Sequence, residues 1–250
     1  MSVGTLDLPA DDPLAVAVVA AIRGGDLETL GRLLGENPDL ATARVGDPRD
    51  CAGEERRTLV HVATDWPGHF PNGATTVAML TAAGADVDAR FRGPHAETAL
   101  HWAASSDDVA VLDALLDAGA DIETPGAVNG GGTPLADAVA FGQWRAAWRL
   151  IERGARTTLW QAAALGLMAR VEEHLATDAP LEGDAITNAF WCACHGGQRD
   201  TAERLLGLGA DIDWVGYNGL TPLDAANRTG APDLVAWLRS RGARSAHDLA

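Results

Sequence analysis

"TALHWAASSDDVAVLDALLDAGADIE", residues 98–123, decides how this chain folds. Thr98 is a helix-opening residue, because its hydroxyl accepts a hydrogen bond from an orphan N–H of the first turn. Ala103 and Ala104 are small, so the short helix that follows can lie close to its neighbours. Val111, Leu112, Leu115 and Leu116 recur at helical spacing and predict a second helix with one apolar stripe. Gly119 supplies the left-handed residue that ends it. Neither helix buries its apolar face alone, so the unit needs copies of itself on either side.

The copies are present. "GAD" or "GAR" stands at 84–86, 119–121, 154–156, 209–211 and 242–244, with steps of 35, 35, 55 and 33. A threonine is expected to open a helix at Thr58, Thr98, Thr133, Thr187 and Thr221. Pro134 and Pro222 then sit at the first helical position, where a missing N–H is harmless. "TPLDAANRTGAPDLVAWLRSRGAR", residues 221–244, repeats the pattern near the C-terminus. Self-similarity at this period is the signature of a repeat array.

These residues resemble the ankyrin repeat, with its T-P-L-H-x-A-A segment, its V-V-x-x-L-L helix and its G-A-D-V-N ending. The resemblance covers residues 14 to about 246. It implies an all-α solenoid of stacked helix pairs, with short β-hairpin or loop fingers projecting to one side. The reading divides the chain into a flexible segment (1–13), one repeat domain (14–246) and a tail (247–250). Within the domain lie an N-terminal capping pair (14–45) and repeats at 58–97, 98–132, 133–156, 157–186, 187–220 and 221–246. "GDPRDCAGEERR" (46–57) reads as a polar loop.

Composition narrows the function. The chain has 250 residues and a formal charge of -16, and all 19 of its basic side chains are arginine, the codon usage of a GC-rich bacterial genome. Phosphate binding needs a basic surface, so nucleic acid is not expected as a partner. The longest early apolar run, "LAVAVVAAI" (14–22), is too short to span a bilayer, and no membrane partner is expected. Three cysteines, Cys51, Cys192 and Cys194, give no disulfide framework and fit a cytoplasmic location.

The resemblance also implies which residues face the groove: the two positions after each L-H-x-A-A segment. These are Asp65 and Trp66, Ser105 and Ser106, Ala140 and Phe141, Ala164 and Leu165, Cys194 and His195, and Arg228 and Thr229. The fingers add Arg90, Arg92, His95, Glu97, Asn129, Trp214, Tyr217 and Asn218. His61 and His101 occupy the family's histidine position and are expected to be structural. So do Ala136, Trp160, Phe190 and Asp224 in other copies. Trp102, Trp191 and Asp137 share the next position, where Asp137 reads as a groove residue or as part of a polar network.

One repeat is too long. "WPGHFPNG" (66–73) interrupts it with two prolines, two glycines, His69 and Phe70. Two proline rings make such a loop stiff, and a stiff aromatic loop over a concavity suits ligand enclosure. Beneath it the sequence gathers Asp65, His69, Arg90, Arg92, His95, Glu97, Ser105, Ser106, Asp107 and Asp108. Carboxylates beside imidazoles can move protons near neutral pH.

Two functions follow. The first is a recognition scaffold that binds a protein on its concave face through Trp66, His69, Phe70, Arg90, Arg92, Glu97, Ser105, Ser106, Asp137, Phe141, Cys194, His195, Trp214 and Tyr217. The second is a site for a small polar ligand, or an acid–base or metal-assisted enzyme, with Asp65, His95 and Asp107 as its catalytic residues. Cys194 beside His195 is a third possible chemistry, a thiolate nucleophile. The sequence names no metal ligand set and no cofactor.

Overall fold

The computed structural model describes residues 6–46, 55–128, 130–176 and 184–250. Cys51, Asn129, most of the 46–57 loop and the end of the 157–186 repeat lie outside them. The chain divides into two compact units, Met1–Ala155 and Arg156–Ala250, where the sequence suggested one domain.

The first unit holds four helix pairs: α1 (Pro13–Gly24) with α2 (Leu27–Glu36), α3 (Leu59–Thr64) with α4 (Gly73–Ala82), α5 (Ala99–Ser105) with α6 (Val109–Asp117), and α7 (Pro134–Ala140) with α8 (Trp144–Glu152). Short helices stack on short ones (α1 on α3, α3 on α5, α5 on α7), and second helices stack on second ones. A small sheet joins the first two pairs. In it β1 (Asp7–Leu8) runs parallel to β2 (Arg44–Gly46), and β2 runs antiparallel to β3 (Arg56–Thr58). The 1–13 segment, expected to be flexible, thus supplies a strand, because the backbone groups of Asp7 and Leu8 pair with β2.

The second unit holds α9 (Leu159–Ala164) with α10 (Met168–Leu175), α11 (Ala185–His195) with α12 (Arg199–Leu206), and α13 (Pro222–Thr229) with α14 (Pro232–Ser240). The four-residue α15 (Ala246–Leu249) follows, opened by Ser245.

The repeat text translates into one bond made five times. In each copy the alanine N–H after the glycine donates to the carbonyl of a leucine five residues back: Ala85 to Leu80, Ala120 to Leu115, Ala155 to Leu150, Ala210 to Leu205, and Ala243 to Leu238. All five leucines are fully buried. The intervening glycines have φ between 87° and 99°, a range that disfavours any side chain. One turn therefore satisfies the helix end and anchors the stripe.

The helix starts are also repeated. Thr58, Thr98, Thr133, Thr158 and Thr221 cap α3, α5, α7, α9 and α13. At Thr98, Thr158 and Thr221 the third helical residue, His101, Gln161 or Asp224, accepts the threonine N–H in return. Two registers depart from the sequence reading. Gln161, one residue after Trp160, holds the histidine position of its repeat, because Thr158 rather than Thr157 is the cap. Thr187 lies inside α11, which starts earlier, at Ala185 after the cap position Asp184, and its hydroxyl instead accepts the N–H of Asp211.

Candidate functional site

The polar set expected beneath the 66–73 loop separates into two groups with different tasks. The first is the loop itself, wedged between neighbouring turns. On one side Asn72 donates to the Gly25 carbonyl at 2.9 Å. On the other, the His69 N–H donates to Asp108 Oδ2 at 2.7 Å, and His69 Nε2 lies 3.0 Å from the Ser106 carbonyl. The contacts are close. A Cβ on Gly68 would sit 2.8 Å from Ser106 Oγ, and one on Gly25 would meet the Pro71 carbonyl at 2.3 Å. Glycine at both places is what lets the loop seat. The loop stiffens the turn and leaves Trp66 78% exposed, with Phe70 half-buried.

Asp65 is 3% exposed and serves as an anchor. Arg57 Nη1 and Arg23 Nη2 each donate to its Oδ2 at 2.6 Å. Arg57 is 1% exposed, among the largest fully buried side chains. A carboxylate so engaged holds two arginines in place and is poorly placed to serve a reaction as base. Asp107, the second candidate, accepts the Ala146 N–H at 2.7 Å, so it caps α8 from the preceding repeat. Ser105 and Ser106 both donate back to the Trp102 carbonyl within their own helix.

The finger group comes from 90–97. Arg90 donates to the carbonyls of Ala96 and Pro125, tying two fingers together. Arg92 exchanges backbone bonds with Arg56. Glu97 is 6% exposed and turned inward, where its Oε2 accepts the Trp102 indole N–H at 3.0 Å. His95 is exposed. The three catalytic candidates are therefore an ion-pair anchor, a helix cap and an exposed finger residue. Among the described residues, no group of three or more His, Cys, Asp and Glu side chains is arranged to hold a metal.

His61 and His101 join successive repeats. The Nδ1 of His101 accepts the Thr98 N–H at 3.1 Å, so its proton is on Nε2, which faces the Gly132 carbonyl at 3.3 Å. His61 repeats this arrangement with Thr58 Oγ1 and the Glu97 carbonyl. Burial pushes both imidazoles down to about 4, because the charged form loses its water. Phe190 holds this position in α11 and has no N–H to give. Its neighbour Trp191 takes over, donating Nε1 to the Leu220 carbonyl at 2.8 Å. Glu97, Gly132 and Leu220 each immediately precede the next repeat's capping threonine.

Two predicted site residues are corrected by burial. Cys194 is fully buried, and desolvation raises its thiol well above the ordinary range, so it presents no thiolate beside His195. Cys192 is buried as well, its thiol pushed up to about 12. Asp137 is 0% exposed and belongs to the interior of its repeat.

What the second unit does assemble is aromatic. Trp214 lies edge-on to Tyr217 (6.0 Å between ring centroids), Tyr217 lies edge-on to Trp191 (5.1 Å), and Trp191 stacks on His195 (5.4 Å, 26° between planes). Helix α11 supplies Trp191 and, one turn on, His195; the finger after α12 supplies the other two. Tyr217 is 52% exposed, yet its hydroxyl is held by Asn188 Oδ1 at 3.0 Å. In the first unit Trp66 and Phe141, 78% and 50% exposed, stand at the turns that follow α3 and α7.

A family model for ankyrin repeats, in three copies, matches residues 70–159. The protein carries ankyrin repeats. Its sequence is similar to an ankyrin repeat and KH domain-containing protein of Caenorhabditis briggsae, 30% identical over 186 residues. That match covers 70% of this chain but 7% of the relative's length. Among solved structures it is similar to the human ASB11 ankyrin repeat domain, at 26% identity and a TM-score of 0.44, covering 78% of this chain and 92% of that one. As in ankyrin repeats generally, an interaction surface is the expected use of such a stack.

Sequence reasoning found the ankyrin pattern, the structural histidines and three of the four ring partners, Trp214, Tyr217 and His195. It missed Arg57 and Arg23 as partners of Asp65, and Asn188 as the anchor of Tyr217. The two arginines carry no repeat signal, since they lie outside the T-P-L-H and G-A-D text. Asn188 had one: it precedes Trp191 by three and Cys192 by four on one helix, which places all three on a common face.

Proposed function

We propose that this protein is a recognition scaffold that binds a protein partner on the concave face formed by its short helices and fingers, in the cytoplasm. The observation that carries the reading is the aromatic series Trp214–Tyr217–Trp191–His195, in which the exposed Tyr217 and the partly exposed Trp214 and His195 rest on the buried ring of Trp191. Tyrosine and tryptophan present large, rigid area at low entropic cost and dominate binding energy at protein interfaces. Here the tyrosine is already fixed by Asn188, so little ordering remains for binding to supply. Trp66 and Phe141 present the same chemistry on the first unit. Asp65, Asp107, Asp108 and Glu97 hold helices and turns in place, which favours a rigid surface over a reaction centre.

The test compares proteins captured from a source-cell extract by the immobilised native chain and by Trp214→Ala/Tyr217→Ala, with Arg32→Ala as a surface control. Loss of an aromatic anchor costs about 2 kcal/mol or more, roughly thirtyfold in affinity. A partner retained by the control and lost by the double variant supports the reading. Equal capture by all three overturns it.

A further inference from the structure

The rings of the second unit are fixed by their own neighbours. Trp191 is 5% exposed, and its indole N–H is committed to the Leu220 carbonyl. The Tyr217 hydroxyl is committed to Asn188. Trp214 packs against Gly216, where any Cβ would collide with the six-membered part of the indole, so glycine at 216 is what lets the ring settle there. The planes of Trp214 and Tyr217 stand 87° apart, and those of Tyr217 and Trp191 stand 75° apart. Two rings at nearly a right angle form a corner whose walls are ring faces, the negative sides of their quadrupoles. Tyr217 belongs to both pairs and is 52% exposed, and Trp214 is partly exposed.

With two of its polar groups already engaged, this set offers ring faces more than hydrogen bonds. A ring face takes an apolar group or a cation, and charge decides between them. The chain carries a formal charge of -16. Around the rings, residues 184–198 and 207–221 contain Asp184, Asp211 and Asp213 and no arginine. Arg199 and Arg228 stand outside these stretches, on α12 and α13. Arg244, which reaches the finger from the C-terminal segment, is paired with Asp213 at 2.7 Å. A chain of this charge draws a cation toward its surface and repels an acidic segment.

We propose that the corner of Trp214 and Tyr217 seats an arginine from a basic segment of the protein partner, with the guanidinium against the ring faces. This rests on the scaffold reading and names the chemistry of what is bound. A guanidinium suits the place because it is planar, stacks on aromatic faces and is more weakly hydrated than an ammonium. The rings are set before the partner arrives, so little ordering is left for binding to supply.

The experiment measures fluorescence anisotropy of a labelled glycine peptide carrying arginines against the full chain, beside the same peptide with citrulline in place of each arginine. Citrulline keeps the planar group and removes its charge. The arginine peptide should bind about tenfold tighter or more. Trp214→Leu/Tyr217→Leu should weaken it about tenfold, while Tyr217→Phe, which keeps the ring and loses only the hydroxyl, should stay within about twofold. Glu203→Gln, exposed on α12 of the same unit, should leave it unchanged, which separates ring contact from general attraction to an acidic chain. Equal binding of the citrulline peptide, indifference to the double leucine variant, or tighter binding of the matching glutamate or proline peptide each overturns the proposal. The citrulline comparison uses the native chain, so misfolding of a variant cannot produce its result. A partner still captured through Trp214 and Tyr217 while arginine gains nothing over citrulline would remove this inference and leave the scaffold standing.

Discussion

Replacing His101 by glutamine should flatten the acid sensitivity of this fold. His101 is 0% exposed and its imidazole sits at about 4, against an ordinary value of 6.5. The cause is burial, compounded by geometry: Nδ1 already accepts the Thr98 N–H, so a second ring proton would face a donor. A folded value below the unfolded one means that the unfolded chain binds the proton more tightly. Stability is then full above about 6.5 and is lost as pH falls from there toward 4. At pH 5 the linkage amounts to about 2 kcal/mol for this residue. His61, 1% exposed with the same shift, doubles that to about 4 kcal/mol. The chain contains its own control, because Gln161 fills the same position and makes the same reciprocal cap with Thr158. His101→Gln therefore keeps the cap and removes the titration. Urea unfolding followed by tryptophan fluorescence at pH 7.5 and pH 5.0 is the assay. The variant should lose about 1 kcal/mol at pH 7.5, the Gly132 bond being replaced imperfectly. The difference between the two pH values should shrink by about 2 kcal/mol. An unchanged difference would refute the assignment of acid sensitivity to this buried ring.

Three further outcomes follow from the same geometry. Asp65→Ala should destabilise the first unit by about 3 kcal/mol, because it removes a carboxylate to which the buried Arg57 donates, while Arg23→Met, removing a partly exposed partner, should cost about 1 kcal/mol; chemical denaturation separates them. Trp191→Phe should cost about 1–2 kcal/mol through the orphaned Leu220 carbonyl, and should shift the Tyr217 hydroxyl little, read by thermal unfolding and by ultraviolet titration. Cys192 and Cys194 should resist iodoacetamide at pH 8 in the folded protein and react on addition of denaturant, as measured by mass mapping of alkylated peptides.

The repeat was legible because its physics is local. A threonine cap, a leucine stripe and a glycine at positive φ each announce themselves within a few residues, and each recurs. The two register errors arose where local signals competed. Thr157 and Thr158 are both able to cap, and only the side chain three residues on, Gln161 rather than Trp160, can return the bond. At Thr187 the helix had begun at Ala185, since nothing in residues 185–187 opposes helix and the threonine found a use in the next finger. The site was less legible for a different reason. His69 does meet Asp108 and the Ser106 carbonyl, while Asp65 and Asp107 turn to Arg57 and Ala146, and proximity alone does not assign work. What turned Asp65 from a possible base into an anchor is Arg57, eight residues earlier on a strand that the sequence reading took for a loop.

That distinction governs how the polar residues of this protein are to be read. A helix pair exposes turns whose N–H groups need partners, and a stack can supply some of them from the neighbouring repeat. Asp107 reaches Ala146, Asp88 reaches Asp121, Asp213 reaches Arg244, and Asp224 reaches Ala246. The first three are carboxylates accepting a backbone donor from the next repeat, and the fourth ties the last repeat's first helix to the segment that follows its second. Acids at these turns thus act as fasteners along the stack. Beside these fasteners Trp66, Phe141 and Tyr217 remain exposed, the tyrosine with its hydroxyl already held by Asn188. Exposed aromatic rings held rigid in this way are the kind of side chain that interfaces between proteins favour.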